Sequence, residues 1–464
     1  MMDESEVTIA NNTERETDVV ILGKTYQVKE KIQSYRDGED TPGFFSTFFP
    51  RSNQDDSGFI KDLSNKLHFT YRTRFTPIQR SENGPSPMNF QRFLRDNPLN
   101  SIENLVSNPD CFTTDIGWGC MIRTGQSLLG NAIQDANFGR NFNFNDYTNT
   151  DVTVSSKRDK IISWFEDNDT APFSLHQFVK KGTEFSNMMP GQWFGPAATS
   201  TSIKELIEDF PLCGIDDCII SVSSGDIFQD TVEKIFEKKE DSKILFLLGV
   251  KLGLTSMNIE YADDIFALLS NKYTVGIAGG RPSSSLYFFG YQGTELLYFD
   301  PHCPQPCLDQ TTHATCTSTD YGRLNITDID PSMLIGVLID GIDSWNEFKT
   351  QCEDLKIINI QQNHYSDIEG KFDEFDISSM DSHRSSEDTS EPDISRNDYI
   401  SIEPLTSKHD CNIINNEEPF ENIQCKTQKI MILQSKSCSN ETSELHYEVE
   451  PVLVENEVKN KHIF

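Results

Sequence analysis

The sequence is poor in basic side chains: 40 Lys plus Arg stand against 73 Asp plus Glu in 464 residues, a formal net charge of −33. Holding nucleic acid depends on cationic side chains that displace counterions from phosphates, so nucleic acid is not expected as a partner, and anionic membrane surfaces are disfavoured with it. Long hydrophobic runs are missing too. The longest apolar stretch, residues 244–254, is interrupted by Lys251, and the first twelve residues carry acids in place of the basic and apolar parts of a secretion signal. A soluble, intracellular protein without a transmembrane segment is expected. Cysteines are few and odd in number, eleven in all, which excludes a disulfide scaffold and leaves reduced thiols that fill the core, bind metal or act as one nucleophile. No HExxH, GxSxG or Walker loop occurs, so zinc proteolysis, serine-elbow hydrolysis and P-loop phosphoryl transfer lack their required parts. No repeat of fixed period is visible.

Bulk for a core is present, with 31 Phe and 13 Tyr. Residues 361–464 hold 22 acids and 9 bases, a net of −13, and are rich in Ser, Asn and Asp. That composition cannot offset the entropy of ordering, so residues 359–464 are expected to be a mostly disordered acidic tail. Residues 1–17 are also expected to be disordered, and the polar stretches 79–109 and 141–156 to be loop insertions. Between them the chain alternates periods. Residues 121–134 (MIRTGQSLLGNAIQ) and 201–210 space their apolar residues as helices, and 273–278, 286–291 and 295–300 read as a strand meander with a turn at Gln292-Gly293. Trp345, Phe348, Cys352 and Leu355 space as a last helix, after which the globular part should end near residue 358.

Two segments carry chemistry. In TTDIGWGCMIRTGQ, residues 113–126, Cys120 follows a Gly-Trp-Gly turn and opens the first helix. Partial positive charge and unsatisfied N–H groups at a helix start favour thiolate over thiol, as a nucleophile needs; a core cysteine under a turn would read the same. In LLYFDPHCPQP, residues 296–306, a strand runs out into Asp300-Pro301-His302. Residues i and i+2 of an extended segment face one way, so Asp300 can orient His302 as a general base; a capping Asp beside a solvated His is the plainer alternative. His302, Cys303, Cys307, His313 and Cys316 crowd into fifteen residues, but their spacing is poor for a zinc site, and no metal is expected.

GWGCMIRTGQ around Cys120, GQWFGP at 191–196, GGRPSSSLYFFGY at 279–291 and YFDPH at 298–302 resemble the autophagins, the autophagy-related cysteine proteases. Echoes at 19–26 (VVILGKTY), 68–75 (HFTYRTRF) and 330–339 (DPSMLIGVLI) extend the resemblance over about residues 19 to 355, in order. It implies an α+β, papain-like cysteine protease fold over residues 18–358, with surface insertions and the disordered acidic tail outside it. It also implies a catalytic Cys120, Asp300 and His302, an oxyanion donor in Tyr71, and a glycine-selective slot formed by Trp193 and the 279–285 loop. In that loop Gly279, Gly280 and Pro282 would contact substrate, and Gly279-Gly280 offers a hinge for a lid.

The implied substrate is the ubiquitin-like autophagy modifier, of the autophagy-related protein 8 type, cut after its C-terminal glycine both to mature the precursor and to free it from phosphatidylethanolamine. The implied enzyme needs no cofactor and works in the cytoplasm at autophagosomal membranes, with the nucleus as a second compartment. Tail motifs of the form aromatic-x-x-aliphatic add a strand to such modifiers; Phe420-Glu-Asn-Ile423, preceded by Glu417 and Glu418, fits best. Two other readings use the same groove: a catalytically inactive scaffold that holds the modifier, and a peptidase for another ubiquitin-like protein.

Overall fold

The computed structural model describes residues 14–31, 57–87, 110–147, 152–222, 224–281 and 284–362. In chain order the strands are β1 (Glu14–Ile21), β2 (Lys24–Lys31), β3 (Arg72–Gln79), β4 (Cys111–Thr114), β5 (Asp217–Ser221), β6 (Asp226–Phe228), β7 (Lys243–Lys251), β8 (Thr274–Arg281), β9 (Ser284–Gln292), β10 (Glu295–Phe299), β11 (Gln305–Pro306), β12 (Gly322–Asn325), β13 (Ser332–Asp340) and β14 (Asn359–Gln361). The helices are α1 (Ser57–Leu63), α2 (Cys120–Phe138), α3 (Val152–Ser163), α4 (Leu175–Ser186), α5 (Pro196–Asp209), α6 (Gln229–Lys238), α7 (Ala262–Ser270) and α8 (Gly341–Cys352).

Nine strands form the main sheet, in the order β12-β10-β9-β8-β13-β7-β5, with the β1-β2 hairpin joined to β9. The expected meander is there: β8, β9 and β10 pair antiparallel, and Gly293 supplies the left-handed turn residue at φ 58°. At its centre β13 pairs antiparallel with both β7 and β8. The segments KILFLLGVK and SMLIGVLID are buried along nearly their whole length, so their unbroken apolar runs belong to strands covered on both faces. A parallel neighbour, β5, closes one edge. Helix α8 packs on β13, and its Trp345 stacks on Phe246 of β7 with ring centroids 5.4 Å apart.

Helix α2 lies against β8, β9 and β13 and is buried almost throughout, polar residues included. Those polar side chains replace strand pairing for the segment 65–69. Ser127 Oγ accepts the Phe69 N–H at 3.0 Å, Asn131 brackets both backbone groups of Leu67, and Gln134 Nε2 donates to the Asn65 carbonyl. The segment is thereby led along α2 to Tyr71 and β3. A second sheet, β11-β3-β4, then ties that strand to the chain just before Cys120 and just after His302.

Several expectations need correcting. Residues 141–156 are not simply a loop: a 3-10 turn spans Phe144–Asp146 and α3 begins at Val152. Phe138, Phe142, Phe144 and Tyr147 stack on one another there, and Arg158 sits over the Phe144 ring, a cluster that the polar composition hides. Strand β1 takes in the last residues of the segment 1–17, and β14 pairs with β6 beyond residue 358. The rest of the acidic tail, including Phe420-Glu-Asn-Ile423, and residues 88–109 lie outside the described residues.

Phe246 and Trp345 are both fully buried. The Phe246→Ala variant is expected to lose about 3–5 kcal/mol of stability, from lost transfer energy plus a cavity; a urea unfolding midpoint within error of wild type would contradict this packing.

Candidate active site

Cys120 is the first residue of α2 and is 1 % exposed. The turn before it is fixed by Asp115, whose carbonyl accepts the N–H groups of Trp118 and Gly119 at 3.1 and 2.9 Å. Residue 119 has to be glycine, because a Cβ there would come within 2.5 Å of Asp115 Oδ2. The chain therefore delivers Cys120 with its backbone N–H at a helix start.

His302 arrives from the end of β10, after a register shift between Leu297 and Tyr298 re-aims that strand. Asp300 and His302 do meet, though not as two residues facing one way from an extended strand. Asp300 Oδ1 accepts the His302 backbone N–H at 2.9 Å and pairs with Nδ1 at 2.5 Å, so the segment closes as an Asx-type turn. The Asp300 carbonyl accepts from His68 Nε2 at 3.1 Å, and the His68 ring stacks on Phe299. Burial pushes His68 down to about 4, so at neutral pH it is an uncharged donor.

Around the sulfur, His302 hydrogen-bonds Cys120, the Trp193 indole Nε1–H donates to Sγ at 3.3 Å, and the Ser285 backbone N–H points to the same atom. The Tyr71 phenol also bonds Cys120 and meets the Gly117 backbone N–H; its ring stands edge-on to His302 at 5.2 Å. Trp193 is held just ahead of α5, whose start is set by Gly195 and Pro196.

These contacts decide the charges. Burial favours a neutral thiol, but His302, the Ser285 N–H and the Trp193 indole outweigh it and hold Cys120 below the ordinary thiol value. Burial likewise opposes charge on His302, yet the bonds to Asp300 and Cys120 raise it to about 10. Asp300 is lowered despite its own burial, through His302. Tyr71 is raised well above its usual value by burial first and by the nearby Cys120 and Asp115 charges second, so it remains a protonated donor. Between the depressed Cys120 value and about pH 10 the pair is thiolate and imidazolium.

Gly279 and Gly280, expected in a loop, are paired in β8 opposite Leu286 and Ser285. Residues 279–281 thus pair antiparallel with 284–286, and Gly280, at φ +151° with a Cβ position 2.6 Å from the Ser284 carbonyl, keeps the pair tight. Pro282 lies outside the described residues. On the return strand Ser284 Oγ is 3.2 Å from His302 Nε2, and Ser285 Oγ bonds Thr124 Oγ1 of α2 at 2.7 Å. Neither contact was anticipated from the sequence, although the triple serine beside the glycine pair marks the place.

The crowded His and Cys residues of 302–316 go separate ways. His313 sits between Glu166 and Asp159, and Cys316 is buried beside Arg72. Among the described residues no group of three or more His, Cys, Asp or Glu is arranged to hold a metal ion, and no helix is long and apolar enough to cross a membrane.

A central helix that opens on a buried cysteine, faced by a histidine and aspartate from the adjoining sheet, defines a papain-like cysteine peptidase. The Peptidase C54 catalytic domain model matches residues 56–351. Cysteine protease ATG4 of Saccharomyces cerevisiae is 44 % identical over 462 residues, covering 96 % of this chain and 92 % of the relative. Probable cysteine proteases ATG4 of Vanderwaltozyma polyspora and Kluyveromyces lactis are 51 % and 42 % identical, covering 79 % and 97 % of this chain and 85 % and 96 % of theirs. The chain belongs to the Peptidase C54 family, the autophagin cysteine proteases.

The Trp193→Phe variant removes one donor to the thiolate. A hydrogen bond to a charged group is worth roughly 1.5–3 kcal/mol, so the pH midpoint for alkylation of Cys120 by iodoacetamide should rise by about one unit; an unchanged midpoint would contradict the role given to the indole.

Proposed function

We propose that this peptidase cleaves after the C-terminal glycine of a ubiquitin-like autophagy modifier, both maturing its precursor and releasing it from phosphatidylethanolamine. The observation that carries the reading is the hydrogen-bonded arrangement of Cys120, His302 and Asp300, set within reach of the Tyr71 phenol; family membership narrows the substrate.

In this reading the Cys120 thiolate adds to the glycyl carbonyl. The oxyanion that forms accepts hydrogen bonds from the Tyr71 hydroxyl and the Cys120 backbone N–H. His302, oriented by Asp300, gives its proton to the departing amine as the C–N bond breaks, which leaves a thioester on Cys120. Neutral His302 then takes a proton from water, the hydroxide adds to the thioester, and collapse expels the thiolate. A peptide amine and the amine of phosphatidylethanolamine are interchangeable as leaving groups here, because both bonds are amides of the same glycine.

Selection for glycine follows from a slot walled by Trp193 and the strand pair that carries Gly279 and Gly280, too narrow for a side chain, with Pro282 as a further substrate contact. With Cys120 1 % exposed, entry of substrate requires Trp193 or the hairpin end to move, which is the behaviour of a lid. The same proposal takes residues 18–358 as the catalytic domain and the acidic tail as an accessory in which Phe420 to Ile423 docks on the modifier. Its site of action is the cytoplasm, at autophagosomal membranes, with the nucleus as a second compartment.

Purified Cys120→Ser is expected to lose all cleavage of a modifier–reporter fusion while keeping the wild-type circular dichroism spectrum; turnover at the wild-type rate would remove Cys120 as nucleophile.

A further inference from the structure

Arg123 lies one turn into α2, three residues after Cys120, with its side chain wholly out of solvent. A guanidinium in such a place has to be matched by carboxylates. Two are provided, both fully buried: Asp115 Oδ2 at 2.6 Å from Nε and Asp167 Oδ1 at 2.9 Å from Nη1. Nη1 also donates to Gln126 Oε1 at 3.1 Å.

What each carboxylate does with its other oxygen matters more than the ion pairs. Asp115 Oδ1 accepts the Arg72 backbone N–H at 2.6 Å, and Arg72 adjoins Tyr71, which bonds the sulfur. Asp167 Oδ2 accepts the Leu308 N–H at 2.8 Å, and the Asp167 N–H returns to the Leu308 carbonyl at 2.9 Å; Leu308 follows His302 by six residues, beyond the short strand β11. Asp115 itself is the residue that closes the turn before Cys120. One guanidinium therefore joins the segments that carry the nucleophile, the oxyanion donor and the base.

We propose that Arg123 is a positioning residue of the catalytic centre: through Asp115 and Asp167 it fixes Cys120, Tyr71 and His302 relative to one another without touching substrate. Its planar fork is what the arrangement uses, since lysine keeps the charge but cannot span two carboxylates in fixed directions. Loosening the network displaces the sulfur from imidazole and phenol and leaves substrate contacts alone. The inference rests on the catalytic roles proposed above, and the two fail differently: activity surviving in Cys120→Ser sinks those roles, whereas an unaltered kcat in both Arg123→Lys and Asp167→Asn sinks this one.

The test compares Arg123→Lys and Asp167→Asn with Val232→Ala, a buried position on α6 that serves as a destabilised control. For each, the thermal midpoint, kcat and KM on the modifier–reporter fusion, and the pH midpoint of Cys120 alkylation are measured. Folded Arg123→Lys and Asp167→Asn should lose about 10- to 100-fold in kcat, with KM changed little and the alkylation midpoint moved up towards that of an ordinary thiol. Val232→Ala should lose stability only. The proposal is overturned if both network variants lower the thermal midpoint yet keep the wild-type kcat and alkylation midpoint. It is overturned as well if neither variant yields folded protein, since the network is then a folding determinant and not a positioning device.

Discussion

The hydrogen bond between Asp300 and His302, 2.5 Å long, is the contact on which the electrostatics of the site depends. A half-buried imidazole left to itself favours its neutral form, and a buried thiol does the same. Asp300 reverses the first preference and His302 then reverses the second, so one carboxylate places a charge pair where solvent would otherwise be needed to support it. Burial, which opposes each charge singly, strengthens their mutual attraction once all three groups are together. The neighbouring donors complete the effect: the Trp193 indole and the Ser285 N–H point at sulfur, and Tyr71 remains a phenol because its ionisation would put a third negative charge beside Cys120 and Asp115.

That triad demands a scaffold able to hold distant parts of the chain within ångströms. The main sheet supplies Asp300 and His302 from a strand end and the closing hairpin from its neighbours, while α2 supplies the sulfur. Between them runs the segment 65–72, which pairs with α2 through Ser127, Asn131 and Gln134 instead of through a β-ladder. The Tyr71 N–H donates to the Pro301 carbonyl and the Gln305 N–H to the Tyr71 carbonyl. Tyr71 and the segment that carries His302 are thus mutually braced, and His68, kept neutral by burial, donates to the Asp300 carbonyl.

Much of this could be read before any coordinates. Cys120 after Gly-Trp-Gly, the strand ending in Asp-Pro-His and the meander with its Gln-Gly turn are local patterns whose geometry is dictated over a few residues. The apolar run from Ile244, read from sequence only as too short to cross a membrane, turns out to be the central strand β7. What escaped was whatever depends on contacts distant in sequence. An arginine three residues after a nucleophile looks like a surface residue of an amphipathic helix until Asp167 is seen beside it. The stretch 141–156 looks polar because its aromatic residues are spaced irregularly, yet they stack. The family resemblance makes 279–285 a loop, whereas Gly279 and Gly280 pair with Leu286 and Ser285, a ladder that overrides the low strand propensity of glycine.

The central claim is that a single thiolate, Cys120 paired with His302, performs the acyl transfer. Its most direct test is a modifier whose C-terminal glycine carries a thiol-reactive electrophile, with the adduct located by peptide mass mapping. One stoichiometric adduct is expected, on Cys120, formed at neutral pH despite seven other thiols among the described residues. Labelling of Cys303 or Cys307 in its place, or no adduct in protein that still cleaves the reporter, would contradict it.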